Sequence, residues 1–472
     1  MPHKLLVANR GEIACRIIRA AQALSIPTVA VYSDADETAP HVAMADEKRR
    51  LGPARAQDSY LNQDAVFLAA RETNSTLIHP GYGFLAENSG FAARCAGEGI
   101  VFVGPSPETI AAMGDKERAR SLAIAAGVPV LPGTGRLPED TAVIASAAEA
   151  IGFPLLVKAV AGGGGIGMRL VANAAALEAA VTATVGLAQR AFGNGAVYLE
   201  RYVSRARHVE VQIFGFGDGQ AVHLFDRDCS IQRRHQKVIE EALAPGLDEA
   251  TRNEMCRVAV ELARSCRYDG AGTVEFLYDE ETNAFYFLEM NTRIQVEHGV
   301  TELVTGIDLV GAQIEHAIGR NLAAALTQDA IRWSGHAIEA RIYAEDPTRR
   351  FLPCPGTITR LDLPEIAGIR IDTGLRSGSV VTPFYDPMVM KVMAHANSRV
   401  EAIDRLDDAL GRLEIEGITT NVNMLRAVLA HPSFRAGSLS TDFLAKFEKD
   451  LLQHPQSPAE AQGRENFGKL ST

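Results

Sequence analysis

Glu275 and Glu289 are spaced so that a hairpin turning around residues 279–283 brings them face to face, because residue 282 lies midway between them. The flanking segments 272–277 and 285–291 read as strands, and the turn between them is rich in Asp, Glu, Thr and Asn. Like charges opposed across a ladder are destabilising unless something positive sits between them. Asn291 lies two residues beyond Glu289 and so shares its face. Two carboxylates and an amide form a hard oxygen-donor set suited to magnesium. The alternative is a solvated strand face. If the chain stays extended to residue 297, then Glu289, Asn291, Arg293, Gln295 and Glu297 fall on one face, and Leu288, Met290, Ile294 and Val296 on the other. A cation for an anionic substrate beside a carboxylate base is an acid–base arrangement. An amphipathic edge strand would show the same pattern.

Other segments point to phosphate. The run from Gly162 to Gly165 lets backbone amides approach anionic oxygens closely, and Lys158 stands four residues upstream. No Gly-Lys-Ser/Thr follows, so this is not a Walker loop. The run Gln232-Arg233-Arg234-His235-Gln236-Lys237 is a solvated loop or, beside a phosphate site, an anion clamp. Two further motifs are misleading. Gly81-Tyr82-Gly83-Phe84-Leu85-Ala86 has the spacing of a dinucleotide fingerprint but follows a later strand, with no acidic residue ending the next one. Met390-Lys391-Val392 sits in a core-strand pattern, which is wrong for a carrier lysine that must stand on an exposed turn.

These residues need elements to hold them. The first hundred residues alternate strands (4–8, 28–32, 76–79, 100–103) with helices (12–24, 64–73), which implies a doubly wound parallel sheet. Ligands of such sheets sit at the carboxyl ends of the strands, where Asn9-Arg10-Gly11 and His79-Pro80-Gly81 lie. Further strands are expected at 155–160, 168–171, 197–202 and 208–214, and a helix at 250–266. A strand-rich region follows from about 332, with strands at 336–343, 357–361 and 388–394 and a helix at 399–413. The end of the chain, from about residue 454, is polar and Pro/Gln/Ser-rich.

The chain has 472 residues and a formal charge of −11, which argues against a general nucleic-acid binder but leaves room for local basic pockets. Its longest uncharged stretch, 121–135, is too short and too Pro/Gly-broken for a membrane span. Six scattered cysteines without C-x-x-C, and no signal-peptide pattern, suggest a cytoplasmic protein with reduced thiols.

Several sequence blocks, in order, resemble the biotin carboxylase subunit or domain of biotin-dependent carboxylases, within the ATP-grasp superfamily. They are Ala8-Asn9-Arg10-Gly11-Glu12, His79-Pro80-Gly81-Tyr82-Gly83-Phe84-Leu85, Glu289-Met290-Asn291-Thr292-Arg293-Ile294-Gln295-Val296-Glu297-His298, Ala344-Glu345-Asp346-Pro347 and Tyr385-Asp386-Pro387-Met388. The resemblance implies an α/β protein: an N-terminal parallel-sheet domain (1–114), an ATP-grasp domain (115–330) with a mobile lid at about 135–204, a strand-rich α+β C-terminal domain (331–446) and a tail (447–472). It implies ATP contacts at Lys116, Lys158, Gly164, Gly165, Glu200, Arg201, Val203, His208, Gln232 and His235. It places Mg2+ or Mn2+ on Glu275, Glu289 and Asn291, and bicarbonate on Lys237, Arg293, Gln295 and Val296. Glu297 is implied as the base and Arg341 as the group that stabilises the biotin enolate. The implied partners are a biotin carboxyl carrier protein, carboxyltransferase subunits and a second copy of the chain. The implied reaction is the first half-reaction of an acyl-CoA carboxylase such as acetyl-CoA carboxylase. The component of a non-acetyl-CoA carboxylase and another ATP-grasp carboxylate–amine ligase are the alternatives. Three positions depart from the family: Ile166 in the glycine run, Arg201, and Gly299, where proline is usual and whose freedom should loosen that turn.

Overall fold

The computed structural model describes residues 3–137, 140–160 and 167–452, so Gly164, Gly165, Ile166 and the polar tail beyond 452 lie outside the described residues. The N-terminal region forms the expected parallel sheet. Its strands are β1 (Leu5–Val7), β2 (Thr28–Ser33), β3 (Glu47–Gly52), β4 (Leu77–His79) and β5 (Val101–Phe102), in the order β3-β2-β1-β4-β5. β1 and β2 are buried along almost their whole length because helices cover both faces. Helix α1 (Gly11–Ala23) buries Ile13 and, one turn on, Ile17 and Ile18 against this sheet. β3 escapes the sequence reading because its residues, Glu-Lys-Arg-Arg-Leu-Gly, are those of a charged edge strand. Val7 and His79 are paired in neighbouring parallel strands, so the loops following β1 and β4 emerge side by side.

A small antiparallel sheet follows, built from β6 (Leu155–Ala159), β7 (Met168–Val171) and β8 (Val197–Arg201) in the order β7-β6-β8. The rest is organised by one antiparallel eight-stranded sheet. It runs β13-β12-β9-β10-β11-β14 and then the strands Met388–Ala396 and Ile369–Thr373. Here β9 is Ala206–Phe216, β10 Ala221–Arg233, β11 Gln236–Ala242, β12 Asp269–Asp279, β13 Ala284–Asn291 and β14 His336–Tyr343. The sheet passes without interruption from the central strands into the C-terminal strands through the β11–β14 pair, where Glu240 stands opposite Glu339. The helix Glu249–Ser265, capped by Asp248, covers one side with Met255, Val258, Ala259 and Leu262. The helix Arg399–Arg412, capped by Ser398, packs Ile403, Leu406 and Leu410 into the C-terminal core.

Two expectations change. Residues 357–361 do not form one strand: Gly356–Thr357 pairs with Val380–Val381, and Arg360–Asp362 with Glu414–Glu416, while Ile358 between them is buried. The end of the chain also stays helical over Glu448–Leu452, with Leu451 tucked into the C-terminal core.

The N-terminal domain meets the C-terminal strands closely at Gly374. A Cβ on Gly374 would lie 2.3–2.6 Å from backbone atoms of Gly11 and Glu12. Overpacking of this kind costs roughly 1–3 kcal/mol. Gly374→Ala is therefore expected to lower the melting temperature measured by calorimetry. An unchanged melting temperature would show that the two backbones part without cost.

Candidate active site

The expected hairpin forms with the expected register. β12 and β13 pair antiparallel with Glu275 opposite Glu289 and Thr273 opposite Asn291. A bulge after Glu275 leaves Leu288 without a partner and 42% exposed, so it does not join the apolar face as parity predicted. On the other side of β12, Glu275 stands opposite Glu210 of β9, and Glu210 opposite Arg227 of β10. One row across four strands thus reads Arg227, Glu210, Glu275, Glu289. Strands lie about 4.8 Å apart, so the three carboxylates crowd one another.

A single ammonium offsets most of this charge. Lys237 Nζ donates to Glu210 Oε2 at 2.6 Å, to Glu275 Oε1 at 2.8 Å and to Glu297 Oε1 at 2.8 Å. Burial would strip its proton, but the three carboxylates override burial and raise its pKa well above the lysine value. Arg227, fully buried, donates from Nε to Glu210 Oε1 at 2.6 Å and is tied down by Gln212, Thr273 and Thr301. His208 Nε2 lies 3.0 Å from Glu275 Oε2. Burial pulls this imidazole down, and Glu275 more than reverses it, to about 9. For Glu275 itself, burial opposes ionisation, but Lys237 and His208 hold the carboxyl below the usual range. Glu289 is shifted the other way, raised by the loss of solvent that its site imposes and then by the charge of Glu275, although its side chain still reaches solvent at the edge of the row. Among the described residues its one side-chain hydrogen bond comes from Asn291 Nδ2 at 3.4 Å. A poorly satisfied carboxylate facing a second one, with the Asn291 amide beside both, is a donor set that fits a hard divalent cation.

The chain stops being a strand at Asn291, so residues 292–297 are not extended as expected. Ile294 is buried as expected, whereas Val296 contributes to the cavity wall. The polar set still converges. Arg293 donates from Nη2 to Asn291 Oδ1 at 3.0 Å and from Nη1 to Gln295 Oε1 at 2.9 Å, and Gln295 Nε2 donates to Glu275 Oε1 at 3.2 Å. Glu297 is fully buried. Burial would raise its pKa, but Lys237 and Arg341 keep the carboxyl low and ionised. Arg341 on β14 donates from Nη2 to Glu297 Oε2 at 2.9 Å.

These groups border a cavity of about 680 Å³. Its walls include His208, His235, Lys237, Glu275, Glu289, Asn291, Arg293, Gln295, Val296 and Arg341. Asn9, Tyr82 and Phe84 enter from the loops after β1 and β4, and Glu12 from the first turn of α1, at the sheet edge where a ligand was expected. Gln232 donates to the Cys229 carbonyl, and its amide lies 3.0 Å from His208 Nδ1. It borders an adjoining cavity that His235 also touches. Arg234 and His235, on the β10–β11 turn, both take left-handed backbone conformations (φ 49° and 66°). Lys158 and Glu200 form an ion pair between β6 and β8, Val203 is buried, and Lys116 and Arg201 are exposed; none of the five borders the 680 Å³ cavity.

Sequence reasoning missed several members. Glu210 carries a signal in hindsight, two residues from His208 on the same strand face. Glu87 supports Arg293 Nε at 3.0 Å from the N-terminal domain. Lys391 is fully buried in a core strand, as its pattern suggested. Its ammonium donates to the Val296 carbonyl and lies 3.5 Å from Glu12 Oε1. Gly299 is tightly packed: a Cβ there would lie 2.3 Å from Met393 Sδ. All six cysteines are free, and among the described residues no helix is long and apolar enough to cross a membrane.

A carboxylate pair that binds a cation should be strained without one. Glu289→Gln is expected to keep or raise the melting temperature of the free protein, to abolish the rise given by magnesium–ADP, and to abolish ATP turnover. An equal magnesium–ADP rise in variant and wild type would remove Glu289 from the metal.

Comparison with known proteins gives the family of the chain. Residues 1–110 match the family model for the biotin carboxylase N-terminal domain, 115–325 that for the carbamoyl-phosphate synthase L chain ATP-binding domain, and 339–446 that for the biotin carboxylase C-terminal domain. Biotin carboxylase 2 of Bacillus subtilis is 49% identical over 441 residues, which cover 93% of this chain and 98% of that one. The methylcrotonoyl-CoA carboxylase subunit alpha of Mus musculus is 46% identical over 450 residues, 95% of this chain but 62% of that subunit. The biotin carboxylase domain dimer of Hydrogenobacter thermophilus 2-oxoglutarate carboxylase was solved with MgADP, ADP and bicarbonate. It superimposes with a TM-score of 0.86 at 43% identity, covering 95% of this chain and 98% of that one. With its sheet order, its lysine-centred carboxylate cluster and these matches over nearly its whole length, the chain belongs to the biotin carboxylase family of ATP-dependent ligases.

Proposed function

We propose that the cavity binds ATP and bicarbonate together, and that Glu297 and Arg341 divide the two halves of biotin carboxylation between them. The observation that carries this reading is the convergence of Lys237 and Arg341 on the two oxygens of one buried carboxylate, Glu297. Lys237, Arg293, Gln295 and the Val296 backbone hold bicarbonate as an anion. Glu297, ionised and close to these cations, removes its proton, and the resulting oxyanion attacks the γ-phosphate. Carboxyphosphate forms and ADP leaves. Lys116, Lys158, Gly164, Gly165, Glu200, Arg201, Val203, His208, Gln232 and His235 are assigned to the nucleotide. Glu275, Glu289 and Asn291 would hold magnesium or manganese, which when bound neutralises phosphate charge. Positioning and charge neutralisation carry most of the catalysis in phosphoryl transfer.

Carboxyphosphate then breaks into carbon dioxide and phosphate, and the phosphate takes the proton from the ureido nitrogen of biotin. Negative charge moves to the ureido oxygen, where Arg341 stabilises it while the nitrogen attacks carbon dioxide. The biotin arrives on a carrier protein, and carboxyltransferase subunits pass the carboxyl group to an acyl-CoA, acetyl-CoA among the candidates. The relative in methylcrotonoyl-CoA carboxylase keeps a non-acetyl acceptor equally open. A homodimer and a cytoplasmic location complete the proposal.

Arg341 should separate the half-reactions. Loss of one preorganised donor to a developing oxyanion costs about 10²–10³ in rate. Arg341→Ala is expected to lose biotin carboxylation by that order, while bicarbonate-dependent ATP cleavage without biotin falls much less. A parallel loss of both activities, or intact carboxylation, would remove Arg341 from the biotin step.

A further inference from the structure

Glu240 is fully buried on β11 and faces Glu339 across the ladder to β14. Its Oε1 lies 2.5 Å from Arg341 Nε, off the N–H axis, and neither of its oxygens accepts a hydrogen bond from the described residues. A buried carboxylate without hydrogen bonds is costly, so its place against one arginine needs a reason. Arg341 is gripped at two edges: Glu240 at Nε, and Glu297 at Nη2. The two grips are not equivalent. Glu297 also receives Lys237, whereas the ion pairs of the described residues give Glu240 no partner but Arg341.

In the proposed reaction Glu297 accepts the proton of bicarbonate. Its contact with Arg341 then drops from an ion pair to a hydrogen bond from a charged donor to a neutral acid, which is weaker because the charge on the acceptor is gone. That loss comes immediately before the step in which Arg341 must be held still against the ureido oxygen. We propose that Glu240 is a positioning residue that keeps the Arg341 guanidinium in place for the biotin step after Glu297 has been neutralised. The proposal rests on the roles given above to Glu297 and Arg341. Electrostatics support the timing. Burial pushes the Glu240 carboxyl up and outweighs Arg341, which opposes it; with Glu297 adding to the rise, Lys237 opposing it and Glu210 adding again, the group is raised to about 7, where a change in nearby charge shifts its ionisation. Neutralising Glu297 removes one repulsive charge and strengthens Glu240 as an anion when its grip is needed.

The test is the ratio of biotin carboxylation to bicarbonate-dependent ATP cleavage, measured on the full chain with free biotin for Glu240→Gln, Arg341→Ala and the double variant. The expected result is a ratio at least about tenfold lower in Glu240→Gln, but less than about twofold lower when the change is made in the Arg341→Ala background, because residues acting through one group are not additive. Glu240→Asp, which keeps the charge, should retain more of the ratio than Glu240→Gln. If Glu240→Gln does not fold, the comparison of Glu240→Asp with wild type in both backgrounds decides in the same way. An unchanged ratio in Glu240→Gln beside a depressed one in Arg341→Ala overturns this proposal alone. Equal factors in both backgrounds, or a better ratio for Glu240→Gln than for Glu240→Asp, also overturn it. An unchanged ratio in Arg341→Ala overturns the role of Arg341 and this proposal with it.

Discussion

The ammonium of Lys237 sits where Glu210, Glu275 and Glu297 would otherwise repel one another in a buried site. Charges of one sign at such spacing are tolerated inside a protein only when they are paired and hydrogen-bonded, and removing one partner of a buried pair costs about 3–5 kcal/mol. The rest of the site depends on this constraint. Glu210 needs Arg227 as well, and Arg227 is in turn immobilised by Gln212, Thr273 and Thr301. Glu275 accepts from Lys237, Asn291 and Gln295 on a single oxygen, which ties the hairpin to the segment that follows it. Glu289, at the end of the row, is the carboxylate that Lys237 does not reach, and it is left as the point where added positive charge is most welcome.

The eight-stranded sheet is what lets one lysine do this. β9, β12 and β13 bring three carboxylates into a row, β11 brings Lys237, and β14 brings Arg341, all within a continuous ladder. The N-terminal domain closes the site with contacts of its own. Glu87 fixes Arg293, and Lys391 bridges Glu12 and the Val296 carbonyl from the C-terminal strands. The segment 292–297 is therefore held by its contacts with all three regions, not by regular secondary structure. The family's chemistry needs an anion, a base and a cation within reach of one another, and this fixation supplies that order in advance.

The sequence made the β12–β13 hairpin legible because register follows from an index sum and face from a period of two. It made β1, β2 and β4 legible because buried parallel strands are continuous apolar runs. Glu210 and Lys237 could not be joined in the same way: strand order in an antiparallel sheet is set by long-range packing, and nothing local says that β12 lies beside β9 or that β11 carries a lysine toward them. Parity also failed where the backbone bulged, at Leu288, and where the strand ended, beyond Asn291. The charged edge strand β3 was invisible for the opposite reason, since its residues protect an edge and fill no core. The resemblance to a family proposed residues for the site, while the geometry adds which of those around the cavity depend on one another.

The most direct test of the lysine-centred account is the melting temperature of Lys237→Met, alone and combined with Glu297→Gln. The account predicts a steep fall for Lys237→Met, because three buried carboxylates lose their shared cation, and a partial recovery when Glu297 is neutralised. A Lys237→Met protein that melts with the wild type, or one that Glu297→Gln destabilises further, would contradict it.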